Sequence, residues 1–156
     1  MNIQFELNGK MVSADSAPGT TLLEYLRNEE LYSVKHGCDH GECGACTVLL
    51  NNRSVNACLT LIHSVEGKKI ETLESFSTHE HLHEMQEAFL HDGAAQCGFC
   101  TPGMLLSVEA LDREGNKVTK ADVKDALNGN LCRCTGYVKP IEAATRILQK
   151  DGGDSK

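Results

Sequence analysis

The sequence of 156 residues has no tryptophan, and aromatic residues make up only 4% of it. It also has no run of lysines or arginines, and its formal net charge is −7. Nucleic-acid binding depends mainly on neutralising phosphates, and single strands are also held by stacking on aromatic side chains. The scarcity of both features argues against a nucleic-acid partner.

No stretch of the sequence approaches the roughly 20 apolar residues of a membrane-spanning helix, so we expect no membrane association. The first ten residues show neither a basic region followed by an apolar run nor a twin arginine. We therefore expect a cytoplasmic protein. In a reducing compartment cysteines stay as thiols, and clustered thiols commonly bind metals rather than form disulfides. The eight cysteines are thus the most informative residues.

Four cysteines form a first group within and just after a glycine-rich segment. They follow the spacing x4, x2 and x11, at Cys38, Cys43, Cys46 and Cys58. An x4, x2 spacing with a distant fourth cysteine is typical of a plant-type [2Fe–2S] cluster. Glycines between the cysteines allow the backbone to come close to the sulfur atoms. Zinc is the alternative, although structural zinc sites usually combine two separate cysteine pairs.

The other four cysteines form a second group of two close pairs, at Cys97, Cys100, Cys132 and Cys134. Threonine follows the last cysteine of each pair, and threonine is a good N-cap, so we expect both pairs to lie at helix starts. Two converging helix N-termini favour an anionic ligand. An iron–sulfur cluster and a zinc ion both remain possible from this spacing alone.

The pattern of apolar residues predicts two domains and a disordered polar tail, at residues 1–76, 77–150 and 151–156. In the first domain we expect a hairpin around Asn8-Gly9, a short helix begun by the capping box of Thr21 and Glu24, a second hairpin and a last strand. In the second domain four helices are predicted from helical periodicity, at 79–90, 101–111, 119–127 and 137–148. The fold class is therefore α+β.

Three segments carry a resemblance to a known family: 37–47 (GCDHGECGACT), 96–104 (QCGFCTPGM) and 129–137 (GNLCRCTGY). They resemble the small iron–sulfur subunit of the molybdenum hydroxylases, the xanthine dehydrogenase family. The resemblance implies a ferredoxin-like (β-grasp) domain followed by a four-helix domain, each with one [2Fe–2S] cluster. It implies that Gln96 hydrogen-bonds a molybdopterin held by a partner. It further implies a large molybdopterin-binding subunit and a medium FAD-binding subunit, in a heterotrimer that can itself dimerise.

The resemblance implies a role in relaying electrons between the molybdopterin centre and FAD, with no catalytic residue in this chain. Xanthine, another purine or a related N-heterocycle is the expected substrate of the complex. Alternatives within the family are a 4-hydroxybenzoyl-CoA reductase, an aldehyde dehydrogenase and a carbon monoxide dehydrogenase. A free-standing ferredoxin and a zinc-stabilised interaction module are alternatives outside it.

Overall fold

A computed structural model describes residues 2–78 and 80–151, with side chains of the last helix described as far as Gln149. Its strands are β1 (Asn2–Leu7), β2 (Lys10–Asp15), β3 (Thr47–Leu50), β4 (Arg53–Asn56) and β5 (Lys69–Glu71). Its α-helices are α1 (Leu22–Asn28), α2 (Glu84–His91), α3 (Thr101–Arg113), α4 (Lys120–Ala126) and α5 (Val138–Asp151). The predicted tail lies outside the described residues, except that Asp151 ends α5.

The five strands form one mixed sheet in the order β2-β1-β5-β3-β4. Both edges of the sheet are antiparallel hairpins, and β5 joins them by pairing parallel to β1 and antiparallel to β3. The hairpin turns place Asn8 and Gly9, and likewise Asn51 and Asn52, at positive φ. Asparagine and glycine tolerate these angles, so both predicted hairpins are confirmed.

Helix α1 packs on this sheet and starts at the predicted capping box. The Thr21 hydroxyl accepts a hydrogen bond from the Glu24 amide at 3.1 Å, and the Glu24 carboxylate accepts one from the Thr21 amide at 2.8 Å. Leu22 and Leu26 are fully buried in the core beneath it, together with Phe5. The arrangement is the expected ferredoxin-like α+β domain.

The remaining helices enclose a second apolar core, whose fully buried members include Phe89, Met104 and Leu127. Helix α2 begins later than predicted, because His83 is its N-cap: the His83 ring accepts a hydrogen bond from the Met85 amide. His81 lies before the helix, and His79 is outside the described residues. The prediction that this helix already includes residues 80–83 is therefore wrong. The presence of four helices in this domain is confirmed.

The two domains meet where α3 packs against β3. Leu49 of the sheet is buried against Leu106 and Ala110 of the helix. At the end of α3, the Arg113 guanidinium binds Glu71 of β5 at 2.5 Å, and it also donates to Asn52 at 2.7 Å. Burial alone would raise the pKa of Glu71, but its bonds with Arg113 outweigh burial and lower that pKa.

Because Arg113 also pairs with Glu109 at 2.8 Å, its removal would take a close cation away from two carboxylates at once. Glu71 would keep only its longer contact with Lys69, at 3.5 Å. We predict that Arg113→Ala lowers the free energy of unfolding by about 1–3 kcal/mol, since hydrogen bonds to charged groups are worth that much. For a chain of this size the unfolding temperature should fall by about 2–8 °C, measured by circular dichroism.

Lys139→Ala provides the matched control for this prediction. Lys139 pairs with Glu142 at 3.8 Å, and both side chains are about half exposed. An exposed pair contributes about 0–1 kcal/mol, so this variant should unfold close to the wild-type temperature. Equal effects of the two substitutions would contradict the role given to Arg113.

Candidate metal centres

The first cysteine group surrounds the end of the ferredoxin-like domain nearest the helices. Cys38, Cys43 and Cys46 lie in the loop between α1 and β3, and Cys58 lies in the 3₁₀ turn Ala57–Leu59 after β4. All four are free thiols; the last two are buried and the first two partly exposed. Within the group Cys38 interacts with Cys43 and Cys46 with Cys58, so the four thiols are arranged as two pairs.

Backbone amides around this group point at the sulfurs. The His40 N–H donates to Cys38 Sγ at 3.4 Å, and with further bonds from Cys43 it lowers the pKa of Cys38 to about 6. Gly41 and Gly44 have φ of 77° and 67°, which allows the loop to curl around the sulfurs. Burial raises the pKa of Cys46 to about 12. Metal binding must displace the proton of that thiol.

The second cysteine group connects the starts of two helices. Cys97 and Cys100 precede α3, while Cys132 and Cys134 precede α5. Here too the thiols are arranged as two pairs, in which Cys97 interacts with Cys134 and Cys100 with Cys132. Burial raises the pKa of Cys100 to about 12, whereas Cys97 and Cys134 are exposed. Cys132 is partly buried, so one pair lies deeper in the protein than the other.

The threonines after these cysteines are not the helix caps that the sequence predicts. Cys100 occupies the cap position of α3, and Thr101 is already the first helical residue. Helix α5 begins at Val138, three residues beyond Thr135. The Thr135 hydroxyl is instead bonded to Cys132 Sγ at 3.1 Å. Gln96 is exposed on the surface directly before Cys97.

The cysteine geometry fits a binuclear cluster in each group. Four thiols in two pairs suit two iron atoms that each take two cysteine ligands. Among the described residues, no three histidine, cysteine or acidic side chains are arranged around a single metal ion. A tetrahedral zinc ion would need four sulfurs at about 2.3 Å from one point. The donors present therefore match [2Fe–2S] chemistry.

The loop of the first group packs directly on the segment before Cys132. Asn130, only 2% exposed, donates to the Gly44 carbonyl at 3.1 Å and to the Thr47 hydroxyl at 3.3 Å. The side-chain oxygen of Asn130 accepts a hydrogen bond from the Ser107 hydroxyl at 2.8 Å. The Leu131 amide donates to the Cys43 carbonyl at 2.9 Å. We call this contact the loop junction: Gly44, Thr47, Gly103, Ser107, Gly129, Asn130 and Leu131.

Glycine is required at two positions of the loop junction because backbones approach closely there. A Cβ on Gly44 would lie 2.2 Å from the Gly129 oxygen, and a Cβ on Gly103 would lie 2.3 Å from the Gly44 oxygen. Both distances are far below van der Waals contact. No role was predicted for Asn130 from the sequence, although it lies in the segment 129–137 that carries the family resemblance.

Large apolar side chains are exposed beside the second group. Phe99 lies between two of its cysteines and is 48% exposed, while Leu131 and Val138 are 59% and 58% exposed. Leu59 and Leu61 are similarly exposed next to Cys58 of the first group. A cluster of such residues on a surface is typical of a protein interface.

Two domains that each gather four free cysteines into a pairwise site define a two-centre iron–sulfur electron-transfer protein. The family model described as "2Fe-2S iron-sulfur cluster binding domain" matches residues 5–75, and that described as "[2Fe-2S] binding domain" matches 72–145. Together these matches span nearly the whole chain. The chain belongs to the iron–sulfur subunits of the molybdenum hydroxylase family, which are parts of oxidoreductase complexes.

Named relatives agree with this membership over most of their length. The chain is 43% identical to the xanthine dehydrogenase iron-sulfur-binding subunit of Escherichia coli O157:H7, over 88% of this chain and 87% of that one. It is 44% identical to the nicotine 6-hydroxylase small subunit of Paenarthrobacter nicotinovorans, over 92% and 87%. Quinoline 2-oxidoreductase from Pseudomonas putida 86 superposes with a TM-score of 0.91 at 38% identity, covering 97% of this chain and 94% of that one.

We predict that Gly103→Ala destabilises the protein, although alanine is favoured over glycine in a helix by about 1 kcal/mol. The new methyl group would meet the Gly44 backbone, which cannot move without displacing the loop between Cys43 and Cys46. Overpacking of this kind costs about 1–3 kcal/mol. The measurement is the temperature at which the iron-loaded protein loses its visible absorbance.

Gly129→Ala is the matched control, because it changes a glycine of the same junction. A Cβ at Gly129 would have no heavy atom within 4 Å, and its φ is not positive. This variant should keep the wild-type transition temperature. If Gly103→Ala were equally stable, close backbone contact would not explain the glycine at that position.

Proposed function

We propose that Cys38, Cys43, Cys46 and Cys58 bind one [2Fe–2S] cluster and that Cys97, Cys100, Cys132 and Cys134 bind the other. The pairing of the eight free thiols is the observation that supports this assignment most directly. Each cluster, when bound, accepts and releases one electron at a time. In this proposal no residue of this chain acts as a base toward the substrate, and the bonds of the substrate are changed on partner subunits.

The protein residues hold the two sites at a fixed separation. The Leu131 amide donates to the Cys43 carbonyl at 2.9 Å, so one hydrogen bond joins a proposed ligand of the first group to the residue directly before Cys132, a proposed ligand of the second. Asn130 fixes the same contact from within the protein, where it is screened from water. This rigidity removes the need to rearrange the loops each time an electron arrives.

A large molybdopterin-binding subunit and a medium FAD-binding subunit are the partners in this proposal, as a heterotrimer in the cytoplasm. The exposed cysteines of the second group, the exposed Gln96 and the apolar Phe99, Leu131 and Val138 lie along the same short segments. We assign this surface to the large subunit, with Gln96 contacting the molybdopterin. The exposed Leu59 and Leu61 then face the flavin side. Within the described residues, no helix is long and apolar enough to span a membrane.

The substrate of the complex is proposed to be a nitrogen heterocycle. The relatives above are named for xanthine, nicotine and quinoline, all of which contain ring nitrogen. In this proposal the large subunit determines the substrate. Assays of the purified complex with aldehydes, carbon monoxide and 4-hydroxybenzoyl-CoA therefore test the alternatives to a nitrogen heterocycle. We also propose that the boundary between the two domains lies near residue 76, directly after the 3₁₀ turn Leu73–Ser75.

Cys134→Ser tests the ligand assignment of the second group. We predict that iron falls from about four to about two atoms per chain, because one of two binuclear clusters is lost. Electron paramagnetic resonance of the reduced complex should then lack one of two signals, and turnover with the physiological acceptor should stop. Cys58→Ser should remove the other signal. Full iron content and unchanged turnover in Cys134→Ser would refute the assignment.

Val138→Glu tests the docking surface, because a charge on an apolar interface must be desolvated without a partner. We predict that the variant keeps both clusters but no longer co-purifies with the large subunit. Met11→Glu is the control, since Met11 is 68% exposed on β2, in the other domain. If the wild-type protein ran in gel filtration as a single chain of 17.0 kDa with both clusters bound, the result would instead favour a free-standing ferredoxin.

A further inference from the structure

The turn that follows Cys134 has an unusual backbone. Gly136 and Tyr137 are both left-handed, with φ of 62° and 69°. A bulky residue such as tyrosine rarely adopts positive φ, and such strain persists only where surrounding contacts maintain it. Two contacts do so here. The Tyr137 hydroxyl accepts a bond from the Cys132 amide at 2.9 Å, and the Tyr137 amide donates to the Thr135 hydroxyl at 3.2 Å.

These contacts determine which way the Thr135 hydroxyl donates. Its oxygen already accepts the Tyr137 amide, and it lies 3.1 Å from Cys132 Sγ. A sulfur bound to iron carries no proton and can only accept. The Thr135 hydroxyl must therefore be the donor in the bond to Cys132. The Thr135 amide points to the same sulfur at 3.4 Å, so one proposed ligand receives two hydrogen bonds from one residue.

We propose that Thr135 is a positioning residue that raises the reduction potential of the cluster in the second group through its hydroxyl bond to Cys132. This inference rests on the proposed function. Reduction adds one electron and increases the negative charge on the ligand sulfurs, so a donor to sulfur stabilises the reduced form more than the oxidised form. Hydrogen bonds to the sulfurs are among the factors that set iron–sulfur potentials.

The other two threonines that follow a cysteine do not have this arrangement. The Thr47 hydroxyl donates to the Gly44 carbonyl at 2.7 Å rather than to a sulfur. Thr101 makes no side-chain hydrogen bond to a sulfur within residues 2–78 and 80–151. The hydroxyl bond of Thr135 thus acts on the second group and leaves the first unaffected, which makes the two potentials separable by experiment.

The test is a redox titration of the assembled complex, monitored by electron paramagnetic resonance of both clusters. Thr135→Val removes the hydroxyl and keeps the shape of the side chain. We expect the midpoint potential of the second-group cluster to become more negative, with about a tenfold change in its reduction equilibrium, or about 59 mV for a one-electron couple. The first-group cluster should be unchanged. Thr135→Ser should restore the wild-type value, and Thr101→Val serves as the matched control.

Cys134→Ser identifies which signal belongs to the second group. An unshifted midpoint in Thr135→Val, with both signals intact, overturns the proposal and leaves the two-cluster function standing. Equal shifts of both clusters, or no recovery in Thr135→Ser, also overturn it. Thr135→Ala lacks the hydroxyl as well; if both it and Thr135→Val lost the cluster while Thr135→Ser kept it, the role would be structural. Absence of both signals from the wild-type complex would instead refute the proposed function.

Discussion

The close approach of two backbones at the loop junction is the constraint on which the rest of the structure depends. Gly44 lies between cysteines of the first group, and Gly103 lies just after a cysteine of the second. Neither position has room for a Cβ. The Gly44 carbonyl accepts bonds from the buried side-chain amide of Asn130 and from Thr47, so the close contact leaves this carbonyl paired. The junction and the packing of α3 on β3 together hold two domains with separate cores in one arrangement.

Burial is distributed unevenly among the eight thiols. Cys46, Cys58 and Cys100 are buried, while Cys97 and Cys134 are exposed beside apolar side chains. Burial disfavours the thiolate, and the raised pKa values of Cys46 and Cys100 reflect this. If these thiols hold the proposed clusters, the bound iron would stabilise them as thiolates, which would couple loading to folding. The exposed thiols at the other edge leave the second group accessible from the surface.

Local patterns predicted most of the elements correctly. Asn8-Gly9 specified its hairpin because both residues tolerate positive φ, and the capping box of Thr21 and Glu24 specified the start of α1. Predictions failed where a local signal had a competing use. His83, in a segment interpreted as helical, caps α2 instead, and the threonines after Cys100 and Cys134 are not N-caps. The Thr135 hydroxyl is bonded to Cys132 Sγ and accepts the Tyr137 amide of the strained turn. Its position before a helix did not reveal these contacts.

The sequence by itself determined the two cysteine groups, the α+β order of elements and the family, because each depends on spacing within a short segment. Only the tertiary structure decided how the groups meet. Asn130 bonds a carbonyl 86 positions earlier, and Arg113 pairs with a carboxylate 42 positions earlier. No periodicity or local motif encodes such contacts, since they arise when separately folded cores are packed together. The same reason explains why the sequence alone does not show that position 103 requires glycine: the backbone that a Cβ there would meet belongs to Gly44, far away along the chain.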